Sequence, residues 1–166
     1  QSSHEPCTRN AAMLPPTQPS RCACRGETRP SGYSTTTRNR GGLRNEATHV
    51  RSGEVLVTDA PPDNKGRGEA FSPTDLLSTS LACCMMTLMG IAAQEKDIAL
   101  TGLSARVVKH MAAGPRRVSR IEVHLELDGA GLGQRERTIL EHAARTCPVA
   151  LSLREDLEQD VHFTYR

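Results

Sequence analysis

Between Asp75 and Glu95 the chain carries no formal charge, and Leu76, Leu77, Leu81, Cys84, Met85, Leu88, Met89 and Ile91 recur through this interval at helical spacing. The pattern predicts one long helix over Ser72–Gln94. Ser72 suits the N-cap, where its hydroxyl can accept from an orphan amide of the first turn. Pro73 fits the first helical position, and Asp75 can reach back to the Ser72 amide to complete a capping box. The apolar residues fill more than one stripe, so the helix is expected to be buried on several sides.

On either side the period shortens. Tyr33–Arg38 is rich in Thr and prone to β structure, and Leu43–Val50 and Glu54–Thr58 read as strands. Turn signals at Arg40-Gly41-Gly42 and Ser52-Gly53 join them into an N-terminal antiparallel meander. Asp59–Ala70, with Pro61-Pro62-Asp63-Asn64, Gly66 and Gly68, is a loop leading to the Ser72 cap. Beyond the long helix, Leu100–Met111 and Val118–Leu127 form a second hairpin around Ala113-Gly114-Pro115. Its second strand alternates cleanly, with Ile121, Val123, Leu125 and Leu127 on one face and Arg120, Glu122, His124 and Glu126 on the other. Gln134–Thr146 reads as a helix with Ile139, Leu140, Ala143 and Ala144 near one face, broken by Pro148. One more helical turn is expected over Ser152–Leu157, then a closing strand over Val161–Tyr165. The order predicts an α+β domain, with antiparallel sheets packed around a long central helix and no internal repeat.

Composition narrows the picture. With 166 residues there is room for one domain rather than two. Aromatic residues make up 2 % and Trp is absent, so the core is expected to be aliphatic, small and incomplete without a partner chain. A net charge of +2 predicts no strong attraction to nucleic acid or to an anionic membrane surface. No run is expected to span a bilayer, because Thr74, Asp75, Ser78, Thr79 and Ser80 make the first half of the long helix polar. Residues 1–32 have a different texture, with Pro, Ser, Thr and Arg but no apolar periodicity. Such a segment cannot offset its ordering entropy and is expected as a disordered tail before a domain over 33–166. It has no apolar h-region and so does not read as a secretory signal. Its Arg and Ser content fits an organellar presequence, and equally an upstream artefact of the reading frame.

Candidate chemistry rests on the six cysteines. His4, Cys7, Cys22 and Cys24 lie in the tail without the paired couples of a structural zinc site, so no metal and no cofactor is expected. The irregular spacing does not look like the disulfide framework of a secreted domain and points to a cytoplasmic protein. By residue type, Cys83, Cys84 and Cys147 are small buried hydrophobes, and Arg44 is a strand-end surface arginine. A bridge between Cys83 and Cys84 inside a helix is disfavoured by disulfide geometry. His49, His110, His124, His142 and His162 fall on polar faces without ligand spacing.

Motifs alter this reading. Phe71-Ser72-Pro73-Thr74-Asp75-Leu76-Leu77, then Leu81-Ala82-Cys83-Cys84-Met85-Met86-Thr87-Leu88-Met89-Gly90-Ile91, with Arg145-Thr146-Cys147-Pro148-Val149 downstream, resemble the OsmC/Ohr family of osmotically inducible and organic-hydroperoxide-resistance proteins. Arg40-Gly41-Gly42-Leu43-Arg44-Asn45-Glu46-Ala47 and Val57-Thr58-Asp59-Ala60-Pro61-Pro62 fit the same family, so the resemblance covers about Tyr33 to Arg166. It implies an intertwined homodimer and a thiol-dependent peroxidase acting on organic hydroperoxides. By the same resemblance Cys84 is the peroxidatic cysteine and Cys147 the resolving one. Cys83 matches a position at which similar members carry a small residue. Arg44 matches the arginine that pairs with the peroxidatic sulfur, contributed by one protomer to the cysteines of the other. The implied reductant is a dithiol, in the family often a protein-bound lipoyl group.

The chemistry is consistent with these roles. Thiolate, not thiol, attacks peroxide, and burial disfavours the charged form. Cys84 lies too far along its helix to draw on the N-terminal dipole, so a cation must come from elsewhere. Arg44 is always charged and fork-shaped. One departure stands out. Family peroxidases often carry a Glu directly after the helix proline to orient the arginine, whereas this chain has Thr74, with Asp75 turned about 100° away and engaged in the cap. Glu69, in the loop, is a candidate substitute. The departure leaves open an alternative, a non-catalytic redox-sensing or small-molecule-binding protein on the same scaffold.

Overall fold

A computed structural model describes Gly32 and residues 34–166; the tail over 1–32 otherwise lies outside the described residues. The first sheet is the expected meander, β1 (Thr35–Gly41), β2 (Arg44–His49) and β3 (Val55–Asp59), antiparallel in the order β1-β2-β3. Gly41 and Gly42 take positive φ at the first turn and Leu43 follows at φ 65°, so the chain reverses within three left-handed residues before Arg44. Every β1 residue is exposed.

Helix α1 (Pro73–Glu95) begins where the cap signals place it. The Ser72 hydroxyl accepts from the Asp75 amide at 3.1 Å, and Asp75 accepts from the Ser72 amide at 2.8 Å. A third element fixes this corner. Lys109 Nζ donates to Ser72 Oγ and Thr74 Oγ1 at 2.9 Å each and pairs with Asp75 at 2.5 Å. Burial alone would raise the Asp75 carboxyl, but the bonds from Lys109 and Ser72 outweigh it and hold the group below its ordinary range.

The second sheet is β4 (Ser104–Ala113), β5 (Arg116–Leu127) and β6 (Glu158–Tyr165), in the order β4-β5-β6. Ile121, Val123, Leu125 and Leu127 all face inward with at most 1 % of their surface exposed, as the alternation requires. Helices α1 and α2 (Gln134–Arg145) pack on each other, and α1 lies against β4 and β5. The core joins Leu81, Met85 and Met89 of α1 to that inner face, with Leu140 and Ala144 from α2.

The structure corrects four details. Burial along α1 is one-sided within the chain, following Ser78, Leu81, Ala82, Met85, Met89 and Ala93, while Leu77 and Ile91 remain 39 % and 44 % exposed. By length and composition α1 is apolar enough to cross a membrane, contrary to the expectation from its polar first half, although its buried stripe packs on protein. The extra helical turn is α3 (Pro148–Ser152), earlier than expected, because Cys147 and Pro148 form its start; Ser152–Leu157 is not a helix of its own. Finally, β6 begins at Glu158 and pairs in parallel with β5, because the connection through α2 and α3 returns the chain to the end at which β5 began.

Two outcomes follow. Leu81→Ala should lower unfolding free energy by about 2–5 kcal/mol in urea titrations, since the site has no exposed surface. The depressed Asp75 carboxyl contributes stability in full above its unfolded value near 3.8 and loses it as pH falls toward the lower folded value. Lys109→Met should therefore reduce stability at neutral pH and flatten the acid limb of the stability–pH curve.

Candidate active site

Cys147 sits at the junction between α2 and α3. Its backbone is extended (φ −67°, ψ 149°), Pro148 occupies the first helical position, and the Cys147 sulfur accepts from the Ala150 amide at 3.4 Å. A cysteine thus caps α3, with no exposed surface. Burial pushes its thiol above the ordinary range; the Ala150 amide opposes this, and the neighbouring Cys84 side chain adds to it. Cys84 approaches from the middle of α1, partly buried against the core that contains Cys147. Both are free thiols, as is Cys83, which is exposed.

Arg44, first residue of β2, lies directly across the ladder from Asp59, last residue of β3. Its Nη1 pairs with Glu69 Oε2 at 3.0 Å. Asp59 has no exposed surface and accepts the Glu69 amide at 3.0 Å through Oδ2. That bond, ahead of the attraction of Arg44, holds its carboxyl below the usual range despite burial. Arg44 Nε and Asp59 Oδ1 are buried and make no hydrogen bond.

The segment carrying Glu69 is closed on itself. Gly66 and Gly68 donate to Pro61 O and Ala60 O at 3.1 Å each, and Asp59 N meets Phe71 O at 3.1 Å across the base. A Cβ on Gly66 would come within 1.7 Å of Ala60 O, and Gly68 has φ +67°. These glycines allow the loop to fold against its own start. Beside it opens a cleft of about 510 Å³, lined by Glu69, Phe71, Asp75, Thr79, Val107 and Lys109 among others.

Of the three sequence-derived candidates, Cys84 and Cys147 are brought together from separate motifs. Arg44 is not joined to them within the chain. Among the described residues its guanidinium bonds to Glu69, and it makes no hydrogen bond to either sulfur. The carboxylate beside Arg44 comes from Glu69, as the missing helix Glu suggested, while Thr74 bonds to Lys109. Sequence reasoning passed over Lys109 and Asp59. Lys109 had a readable signal, since it shares the inner face of β4 with Ala105, Val107 and Met111. The histidines of the second sheet lie on its outer face, where His124 and His162 stack with ring centres 4.8 Å apart. No cluster of three metal-ligating side chains occurs among the described residues, and the tail cysteines lie outside them.

A long helix bearing a mid-helix thiol, laid on a three-stranded sheet and met by a second thiol at a helix cap, defines a class of α+β thiol proteins. This chain belongs to the family of OsmC-like proteins, whose model matches residues 66–161. It is 44 % identical to a Psychrobacter arcticus protein assigned to osmotic stress induction and the detoxification response, over 79 % of this chain and 95 % of that one, with a TM-score of 0.75. The fold is shared with an organic hydroperoxide resistance protein OsmC of Legionella pneumophila (20 % identity, 81 % and 98 % covered, TM-score 0.64). An OsmC-like protein of Mycoplasma pneumoniae shares it too (19 %, 82 % and 99 %, TM-score 0.68). No curated protein sequence matches the chain.

In native protein at neutral pH, iodoacetamide should modify exposed Cys83 first. Cys147 should react on the order of tenfold or more slowly, since it is buried and its thiol is raised. Peptide mapping before and after unfolding reads the difference; equal rates would contradict the cap.

Proposed function

We propose that this chain is a thiol-dependent peroxidase that reduces organic hydroperoxides, with Cys84 as peroxidatic and Cys147 as resolving cysteine. The observation that carries it is the meeting of these two free thiols in one apolar neighbourhood. Cys84 thiolate attacks the distal oxygen of ROOH; the O–O bond breaks, ROH leaves with a proton, and Cys84 becomes a sulfenic acid. The thiolate charge is then gone, which removes one of the two influences raising Cys147. Cys147 condenses with the sulfenic acid, expelling water and forming a disulfide. A dithiol of the lipoyl type restores both thiols and leaves oxidised. Met, Leu and Ile around the sulfurs suit a hydroperoxide with an apolar organic group.

The active unit in this reading is a homodimer. Leu77 and Ile91 leave one side of α1 uncovered, and β1 is exposed along its whole length, so a second copy would complete the burial that one chain leaves unfinished. Arg44 from one protomer would then serve the cysteines of its partner. Thiols that cycle through a dithiol reductant belong in a reducing compartment, and we place the chain in the cytoplasm. The second reading, a non-catalytic redox or binding protein, draws on the lack, among the described residues, of any cation bonded to Cys84.

Steady-state consumption of cumene hydroperoxide with dihydrolipoamide separates the two. Wild type should turn over, Cys84→Ser should fall to background, and Cys147→Ser should consume about one equivalent and stall. Mild oxidation should yield a Cys84–Cys147 disulfide by peptide mapping. Mixing inactive Arg44→Ala and Cys84→Ser chains should restore about a quarter of wild-type activity if each site draws on both protomers. Equal rates for wild type and Cys84→Ser would leave only the second reading.

A further inference from the structure

We infer that Asp59 and Glu69 act together as positioning residues for Arg44, a two-carboxylate clamp built by the end of β3 and the 60–70 loop; as a part in catalysis, this rests on the peroxidase reading. Three links form the clamp. Asp59 accepts the Glu69 amide at 3.0 Å and so sets where the Glu69 backbone lies. The Glu69 side chain takes Arg44 Nη1 at 3.0 Å. Asp59 itself lies across the ladder from Arg44, and its Oδ1 and Arg44 Nε are both buried, oppositely charged and without partners. Two such groups, removed from water and placed on facing residues, attract one another more strongly than they would in solvent.

The platform is stiff enough for the task. Gly66 and Gly68 let the loop close on Ala60 and Pro61, and the Asp59–Phe71 backbone bond ties its base to the strand. Glu69 is therefore presented by a folded segment, and its position is coupled to the end of β3. Meanwhile Thr74, the residue after the helix proline, is held by Lys109 and supplies no charge to Arg44. The clamp engages Nη1, and Nη2 makes no hydrogen bond among the described residues. Nη2, the nitrogen left over, can still donate to an anion, here the partner's sulfur or a peroxide oxygen.

The test uses the full chain and reads Arg44 directly. Phenylglyoxal labelling of Arg44, followed by peptide mass spectrometry, should be severalfold faster in Glu69→Gln than in wild type, with an unchanged melting temperature. Glu69→Asp should recover part of the protection. Asp59→Asn should act in the same direction; if that variant does not fold, the Glu69 pair still decides. In parallel, Glu69→Gln should lower kcat/KM for cumene hydroperoxide by about 10- to 100-fold, as expected for a displaced catalytic group. Unchanged Arg44 labelling in Glu69→Gln overturns the clamp. Faster labelling with unchanged kcat/KM overturns its part in the reaction. If wild type consumes no more peroxide than Cys84→Ser, the peroxidase reading falls, and the labelling result still decides whether the clamp exists.

Discussion

The structure depends on one apolar stripe. Six positions on α1, from Ser78 to Ala93, are pressed against neighbouring elements, and the second sheet supplies the wall through Ile121, Val123, Leu125 and Leu127. With so few aromatic side chains in the chain, this aliphatic seam is the main source of burial. Cys84 lies off the stripe, on the border between the buried and uncovered sides of the helix. Turned further into the core its thiol would lose contact with solvent, and turned to the open side it would lose its neighbour Cys147.

The start of the helix is fixed with equal care. A capping box alone would satisfy the first turn, but Lys109 adds a charged tie from β4 to three side chains of that turn. A cation near a helix N-terminus is unfavourable by itself, and Asp75 compensates it. The tie sets the position of the helix along the sheet, and with it the distance from the loop that carries Glu69 to the thiols further along. Thr74, which anchors the helix here, stands where the family resemblance implies a carboxylate.

Most of the fold was legible because its signals are local. The Ser72–Pro73–Asp75 cap, the alternation of β5 and the glycine turns of the first sheet all act within a few residues, and each element formed where they point. What was not legible depends on long connections. The direction of β6 is decided by the path through α2 and α3, and the bare side of α1 by what one chain lacks. In the site, the meeting of Cys84 and Cys147 was foreseen from motif resemblance rather than from physics. Lys109 was visible in principle as a charge in an inward register, whereas Asp59 was not, because a carboxylate at a strand end ordinarily faces water.

The loop over residues 60–70 has a consequence for how this protein can vary. Gly66 abuts the Ala60 carbonyl and Gly68 abuts Pro62, while Lys65 and Arg67 project into solvent. Lys65 is exposed but holds a left-handed φ of 64°, so a stretch that looks uniformly polar and permissive leaves Arg67 alone unconstrained between its two glycines. Drift, whether natural or in a mutagenised library, is confined there to few positions, and a loop that looks free to change would be among the slowest to do so.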